Sequence, residues 1–370
     1  MKKLAFLLGS ILIVGNVAAA KEVVPAPVVV EEAPVQVIEK EVIVYRDKPE
    51  GFRPNGYVDL HYKYYGDAEE LNYKNDGKTN NYGRVELKGM INMTENQSLE
   101  YRIRDYNSWN NSGSDTDKGI DGTETRLRYF YNHGYLGDSK VNLTSRVHYQ
   151  DNGHDDDSQE IEYQARFDFG EYMFNGDFVK TDYFVVAPKY KYAWASNNDD
   201  YDNQVGADLY TMHTLPWGFS FEFNVYATQH FYGKDQATSA TDKTDDNFSV
   251  DVEAYLYNTT NLYTNDKFAI DFQFEGGFDP YTWNSESVLE RRYKDNYLAA
   301  DDDKADTLKY EDTKYRLYAW PQIVATYNAT ENFKTYVSLG AEYTNGYKYE
   351  SDSQDWRWQP VAVVGFKTTF

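Results

Sequence analysis

Apolar and polar residues alternate along most of the chain from residue 56 onward, in short segments separated by polar connections. In the first segment one face carries Val58, Leu60, Tyr62 and Tyr64, and the other carries Asp59, His61 and Lys63. Because successive side chains of a β-strand point to opposite sides of the sheet, this period of two predicts strands with one apolar face. The next five segments include Leu87, Tyr101, Leu127, Val147 and Tyr163, and eight more lie near 183–194, 204–215, 219–231, 248–257, 267–278, 313–327, 333–343 and 356–370.

This pattern predicts an all-β fold, a transmembrane antiparallel up-and-down β-barrel of about 14 strands, within a range of about 12 to 16. The connections are short and long in turn, as the periplasmic turns and outer loops of bacterial outer-membrane barrels require. Short connections are predicted at 94–97, 216–218 and 328–332, and long ones at about 66–80, 110–122, 232–246, 279–312 and 344–355.

Two segments precede the predicted barrel, which covers residues 56–370. Residues 1–20 contain Lys2 and Lys3, an apolar run and then three alanines at 18–20, the pattern of a cleavable signal peptide. Residues 21–55 are rich in Pro, Val and Glu, which favours an extended periplasmic segment. A plain linker, a plug docked into the barrel and a cell-wall contact are the alternatives for its role. We therefore expect export through the signal peptide and location in the cell outer membrane.

Composition narrows the class of protein. No apolar stretch after the signal approaches the ~18 to 20 residues of a membrane-spanning helix. The 36 Tyr, 20 Phe and 7 Trp, with a mean hydropathy of −0.76, suit strands that are apolar on one face only. An exported chain with no Cys must be stable without disulfides, and a closed barrel meets that requirement. The formal charge of −23 argues against binding nucleic acid. A soluble exported all-β protein is the alternative class.

The final strand carries a further signal. Its even positions Trp358, Ala362, Val364, Phe366 and Phe370 form one apolar face that ends in an aromatic residue. Such an ending resembles the signal by which outer-membrane barrels are recognised and inserted. We expect the barrel-assembly machinery to contact Val364, Phe366 and Phe370, and outer-membrane lipid and lipopolysaccharide to surround the inserted protein.

Six blocks of sequence are spread over nearly the whole chain: MKKLA at 1–5, VIVYRD at 42–47, RPNG at 53–56, VDVEAYLYNT at 250–259, FEGGFDPY at 274–281 and WRWQP at 356–360. In this order they resemble the FomA-type major outer-membrane porins of fusobacteria. The resemblance implies a general diffusion porin that forms a homotrimer. The outer-loop sequences match least well, so the resemblance implies nothing about the surface.

Opposite the apolar face, the strands carry charges of uneven sign. A basic wall is predicted from Arg84, Lys88, Arg102, Arg104, Arg126, Arg128, Arg146 and Arg166. With Lys140, Lys189 and Lys191 it counts eleven cations against six anions, Glu86, Glu100, Glu124, Glu160, Glu162 and Asp168. An acidic wall is predicted from Glu222, Asp251, Glu253, Asp271 and Glu275. Two opposed walls would create a transverse field that orients dipolar solutes and filters ions. The alternative is that Arg and Glu on adjacent strands neutralise each other inside a plugged or narrow barrel.

Aromatic residues have two predicted roles. An interfacial girdle is predicted from residues near strand ends: Trp217, Tyr149, Tyr257, Trp320 and Trp358. On the interior face, stacking against solutes is the alternative to packing within the wall for Tyr226, Tyr255, Tyr318 and Tyr336.

These features predict an outer-membrane general diffusion porin that passes small hydrophilic solutes and ions through a water-filled lumen. The alternative is a non-conducting adhesin or structural barrel that acts through its surface loops. An enzyme is not expected, because the six histidines stand in no recognisable catalytic motif or metal-ligand spacing. Phosphate loops and dinucleotide fingerprints are also missing from the sequence, so no catalytic residue, metal or cofactor is predicted.

Overall fold

The computed structural model describes residues 51–68, 82–107, 122–153, 158–195, 200–238, 242–286, 316–345 and 356–370. The barrel unit runs from Pro54 to Phe370. The predicted signal peptide lies outside the described residues, as do most of the predicted periplasmic segment and much of the predicted outer loops. No helix in the described ranges is long and apolar enough to cross a membrane.

Fourteen strands form a closed antiparallel barrel, in which each strand pairs with its neighbours in sequence and the first closes on the last. They are β1 (Asn55–Tyr65), β2 (Tyr82–Asn92), β3 (Gln97–Asn107), β4 (Gly122–Tyr135), β5 (Asn142–Asn152), β6 (Ser158–Asp168), β7 (Lys180–Ala195), β8 (Tyr201–Thr214), β9 (Phe219–Ala237), β10 (Lys243–Thr264), β11 (Phe268–Asn284), β12 (Arg316–Asn328), β13 (Phe333–Thr344) and β14 (Arg357–Thr369). The predicted fold class and the count of 14 are confirmed.

Closure of the barrel depends on the pairing of β1 with β14. Their register runs from Tyr57 opposite Thr369 to Tyr65 opposite Val361. At the end of the seam, Gly56 N donates to Phe370 O at 3.1 Å and Phe370 N donates to Gly56 O at 3.2 Å. Each strand therefore has a partner on both sides, which removes the open edges that cannot be satisfied in lipid.

Burial follows the period of two that the sequence shows. Val147 and Ile161 point outward and are exposed, as are Val205 and Leu339, whereas Gln164 on the opposite face is fully buried. The outer surface of the barrel is apolar, and the polar and charged side chains are gathered on the interior face. An apolar exterior of this kind fits a barrel surrounded by lipid.

The connections at one rim of the barrel are short. The β8–β9 connection is a single 3-10 turn at Pro216–Gly218, in which Trp217 and Gly218 both have positive φ, at 61° and 76°. Asn258 on β10 holds this turn by donating from Nδ2 to Trp217 O at 3.0 Å. A positive φ is costly for a bulky residue, so the turn keeps Trp217 in a strained and exposed position.

The predicted outer loop at 232–246 is wrong for most of its length. β9 continues to Ala237 and β10 begins at Lys243, so the two strands remain paired far beyond the length needed to cross a membrane. A bulge between Thr244 and Asp246 breaks the strict alternation there, so the sequence pattern of period two does not predict this part of the strand. β11 likewise extends to Asn284, into the predicted loop at 279–312.

Candidate functional site: the barrel lumen

The structure places all eight predicted basic residues on the interior face. All are buried except Arg128, whose side chain is 12% exposed. They lie on β2 to β6, at alternating positions that face away from the apolar exterior. Since isolated charges are costly to bury, their carboxylate partners determine how the wall is built.

Glu86 is the most connected carboxylate of this wall. Its Oε2 accepts from Arg104 Nε at 2.5 Å and lies 3.4 Å from Arg84 Nη2, while Oε1 lies 3.3 Å from Lys88 Nζ. His61 Nε2 is 3.7 Å from the same Oε1. The Glu86 side chain is 1% exposed, so one buried carboxylate orients three cations from two strands.

The next carboxylates along the wall are also shared between cations. Glu100 Oε1 accepts from Arg126 Nη2 at 2.6 Å and lies 3.6 Å from Arg128 Nη1. Glu124 pairs with Arg102, and its second oxygen lies 3.7 Å from Nη1 of the neighbouring arginine at 104. Each of these carboxylates meets two guanidinium groups, so the positive charge is in excess.

The wall continues through β5 to β7 with fewer shared partners. Arg146 pairs with Glu162, and Lys191 lies 3.1 Å from Glu160. Arg166 Nη1 donates to Gln164 Oε1 at 2.8 Å, and its guanidinium lies 4.5 Å from the centre of the Tyr210 ring.

Two residues counted on this wall from the sequence do not belong to it. Lys140 lies in the β4–β5 turn, where its side chain is 63% exposed and pairs with Glu171 at 3.7 Å. Asp168 accepts from the backbone N–H of Gly170 at 2.8 Å and of Phe184 at 3.1 Å, which ties it to the end of β6. One cation and one anion leave the count together, so ten cations stand against five carboxylates and the excess is still +5.

The predicted acidic residues also lie on the interior face, on β9 to β11. Glu222 and Glu275 are buried, and the other three are half-buried. Tyrosine and asparagine side chains orient these carboxylates: Tyr257 OH and Asn224 Nδ2 each donate to Glu222 at 2.7 Å, Tyr226 OH donates to Glu253 at 2.8 Å, and Tyr318 OH donates to Glu275. Asp271 Oδ1 accepts from Asn261 Nδ2 at 2.8 Å.

The sequence interpretation missed two acidic residues of β8. Asp208 is buried and forms the junction with the basic wall, 2.7 Å from Lys189 Nζ. Asp202 lies 2.8 Å from His230 Nδ1. The sequence does indicate that both aspartates face the interior, because Asp202, Gln204 and Asp208 alternate with apolar residues such as Val205. We name the interior face of β2–β7 the basic arc and that of β8–β11 the acidic arc.

Two girdle predictions are wrong. Tyr257 faces the interior and contacts Glu222, and Trp320 is buried beneath Lys63 Nζ, which lies 3.8 Å from its ring centre. Both residues lie an even number of positions from interior residues of their own strands, and so face the interior. Their nearness to a strand end does not show this. Trp217 and Trp358 are exposed.

The four tyrosines predicted on the interior face do lie there. Tyr255 and Tyr336 are buried, and Tyr255 packs between two neighbouring rings, with centroids 6.2 Å from those of Tyr257 and Tyr318. Tyr336 OH donates to Asp59 Oδ1 at 2.7 Å. Packing within the wall therefore describes these two residues better than an open stacking surface.

Gly365 of β14 permits the contact that Tyr336 makes across the seam. A Cβ at this position would lie 2.5 Å from His61 Cβ and 2.8 Å from Tyr336 Cζ. The tyrosine ring fills the space that a side chain would take.

The predicted assembly residues lie on the outer face of the last strand. Val364 and Phe370 are exposed, and the Phe366 ring lies 5.7 Å from that of Phe333. Their contact with assembly machinery stays a prediction.

Comparisons with known proteins find only distant similarity. No protein-family model matches the sequence, and no curated protein matches it. A loop-deletion mutant of OmpT, an outer membrane protein of Vibrio cholerae, is 8% identical and has a TM-score of 0.35 over 86% of this chain and 98% of its own. The outer membrane channel DcaP of Acinetobacter baumannii is 10% identical, with a TM-score of 0.31 over 86% and 96%. Salmonella typhi OmpF is 11% identical, with a TM-score of 0.32 over 88% and 99%. These values do not identify a function, and the case for one rests on the barrel itself.

Proposed function

We propose that this chain is an outer-membrane general diffusion porin that passes small hydrophilic solutes and ions through its lumen. The observation that carries the proposal is a closed barrel of 14 strands with an apolar exterior and a charged interior. Barrels of about 8 strands are filled by their own side chains, whereas those of about 16 strands enclose a water channel. With strands ~4.8 Å apart and tilted by ~40°, fourteen strands give a backbone diameter of about 28 Å.

The proposed selectivity comes from the two arcs. β3 and β10 lie seven strands apart in the ring of fourteen, so the basic arc and the acidic arc face each other across the lumen. Charges of opposite sign on opposite walls would make a transverse field that filters solutes by charge.

Finer assignments belong to the same proposal. They are membership of the FomA-type porins, a homotrimer in the outer membrane, export through the signal peptide at 1–20, insertion by barrel-assembly machinery through the last strand, and contact with lipopolysaccharide.

One observation favours the second candidate, an adhesin or structural barrel. The β9–β10 pair is 19 and 22 residues long, roughly twice the ~10 residues that cross the membrane. Such a hairpin forms a firm projection beyond the membrane and is suited to contact another surface.

Single-channel recording in planar bilayers tests the proposal. The refolded mature protein should give stepwise conductance increments, and a salt gradient should give a small reversal potential, because the two arcs are nearly balanced. Folded protein that inserts without conductance would overturn the porin assignment and leave the adhesin.

A further inference from the structure

Asp202 on β8, His230 on β9 and Ser249 on β10 form a hydrogen-bonded triad on the interior face of the barrel. His230 Nδ1 lies 2.8 Å from Asp202 Oδ2, and His230 Nε2 lies 3.0 Å from Ser249 Oγ. The strand register places His230 opposite Gln204 and Asn247, so Asp202 and Ser249 are its diagonal neighbours. The three residues are 28 and 19 positions apart in the chain, so no local motif predicts the triad.

The chemistry of the triad determines where its protons lie. An ionised carboxylate can only accept hydrogen bonds, so His230 Nδ1 carries a proton and donates it to Asp202. In a neutral imidazole the other nitrogen is then an acceptor, and the Ser249 hydroxyl donates to Nε2. A serine hydroxyl that donates to a base oriented by a carboxylate is the arrangement that activates serine as a nucleophile.

Neighbouring side chains hold the base and its carboxylate in this orientation. The Tyr232 ring stacks on the imidazole of His230, with ring centroids 5.7 Å apart and planes 23° apart. Gln204 Nε2 donates to Asp202 Oδ2 at 2.7 Å, which fixes the carboxylate from its own strand. The imidazole is therefore positioned before any substrate arrives.

Two other histidines of the described residues contact a hydroxyl but lack the carboxylate. His133 Nε2 lies 2.9 Å from Ser145 Oγ, and His213 Nδ1 lies 3.1 Å from Thr181 Oγ1. Neither imidazole forms an ion pair within the described ranges, whereas that of His230 does. Ser145 is also half-buried, so it is more accessible than Ser249, which is 4% exposed. It provides a matched comparison within the same chain.

We propose that the triad is a hydrolytic site for esters of small carboxylic acids, an activity that would accompany the pore. Ser249 and His230 are the catalytic residues, and Asp202 is a positioning residue. The site lies toward the outer end of its strands, because Asp202 directly follows Tyr201, where β8 begins. The proposal does not depend on conductance.

The reaction balances with water as the second reactant. Ser249 Oγ attacks the ester carbonyl carbon while its proton moves to His230 Nε2, and collapse of the tetrahedral intermediate breaks the bond to the alkoxide. His230 returns the proton to that alkoxide, which leaves as the alcohol. Water, deprotonated by the same nitrogen, then releases the carboxylic acid and restores the serine.

Two features of the site limit its substrate and its rate. The small exposed fraction of Ser249 admits a small acyl group such as acetyl to the hydroxyl. The Ser249 backbone pairs with Thr228 on one side and with Asn284 on the other, so it is committed to the sheet rather than free to stabilise an oxyanion. Loss of one such donor costs hydrolases about 10²–10³-fold in rate. We therefore expect slow hydrolysis of activated acetate esters.

Methanesulfonyl fluoride, a small reagent that sulfonylates activated serines, tests the assignment directly. The folded barrel in detergent is treated, and the labelled peptides are identified by mass spectrometry. Ser249 should be labelled at least about 100-fold faster than Ser145, because a positioned base contributes about 10²–10⁴-fold to such a reaction. Accessibility alone would favour Ser145.

Variants test each role in the triad. His230→Gln should slow the labelling of Ser249 by about 10²–10⁴-fold, and Ser249→Ala should lower p-nitrophenyl acetate hydrolysis to the rate of the unlabelled background. Asp202→Asn should slow both reactions, and Asp202→Glu should recover part of the rate, because a carboxylate again accepts from Nδ1. Ser145→Ala is the matched control and should keep both wild-type rates. Circular dichroism checks that each variant is folded.

The outcomes decide the proposal independently of the pore. Equal labelling of Ser249 and Ser145 in the folded wild type would overturn it and leave the triad as a hydrogen-bonded part of the wall. Labelling of Ser249 that survives His230→Gln would also overturn it, because the serine would then react without a base. If a variant fails to fold, the comparison of the two serines in one wild-type sample still decides.

Discussion

Replacing Glu86 by Gln should destabilise the barrel more than any other single change to a lumenal carboxylate. The substitution keeps the size of the side chain and removes its charge. Arg104, Lys88 and Arg84 all lie within 3.4 Å of the Glu86 carboxylate, which is almost fully buried. The three cations would then face one neutral amide.

The magnitude follows from these distances. At an effective dielectric constant of about 20, each pair at roughly 3.3 Å contributes about 5 kcal/mol before other terms. Desolvation of the carboxylate and mutual repulsion of the cations offset most of that sum. Removal of one partner from a buried ion pair typically costs about 3–5 kcal/mol, and we expect Glu86→Gln to fall in this range.

Urea unfolding in lipid vesicles, followed by tryptophan fluorescence, measures the effect. The control is Glu95→Gln in the exposed β2–β3 turn, which should change the free energy of unfolding by less than about 0.5 kcal/mol. Adding Arg104→Gln to Glu86→Gln should recover part of the loss, because the double variant removes one of the unbalanced cations. A Glu86→Gln barrel as stable as the control would refute the assignment of Glu86 as the organising carboxylate.

Three further predictions concern the pore, the seam and a turn. Arg126→Gln/Arg128→Gln should shift the reversal potential in a salt gradient toward cation selectivity, since it removes two charges of the basic arc; an unchanged potential would contradict the opposed arcs. Gly365→Val should cost about 1–3 kcal/mol of unfolding free energy, because its Cβ would lie 2.5 Å from His61 Cβ and 2.8 Å from both Leu60 O and Tyr336 Cζ, and Tyr336→Ala combined with it should recover only part of that cost. Trp217→Asn should stabilise the barrel by roughly 1 kcal/mol, because asparagine tolerates the positive φ of this turn better; a loss of stability would show that the indole makes an interfacial contact worth more than the strain.

The strands were predictable because lipid imposes a strict rule on them. Each strand must present apolar side chains to the membrane at every second position, and Val58 to Tyr64 or Leu99 to Ile103 follow that rule without exception. The same parity placed Arg102, Arg126 and the acidic residues of β9–β11 on the interior face.

Prediction failed where nearness to a strand end was preferred to alternation, and where strands give way to turns or extend past them. Trp320 and Tyr257 were assigned to a girdle, although they alternate in step with the interior residues Tyr318 and Tyr255. Lys140 and Asp168 lie where strands give way to a turn, so alternation no longer defines a side. The β9–β10 pair is longer than a membrane crossing requires, and its outer part is held by backbone pairing. That part has no alternating lipid-facing pattern from which the sequence could predict it.

The sequence alone predicted a membrane β-barrel of about 14 strands and the face on which most of its charged residues lie, because strands in a membrane alternate between a lipid-facing and an interior residue. Only the tertiary structure decided which charges meet. Glu86 gathers cations from its own strand and from β3, and Asp208 joins the two arcs through Lys189. The partners on different strands, Glu86 with Arg104 and Lys189 with Asp208, are 18 and 19 residues apart in the chain and are brought together by the register of the hydrogen-bonded strands.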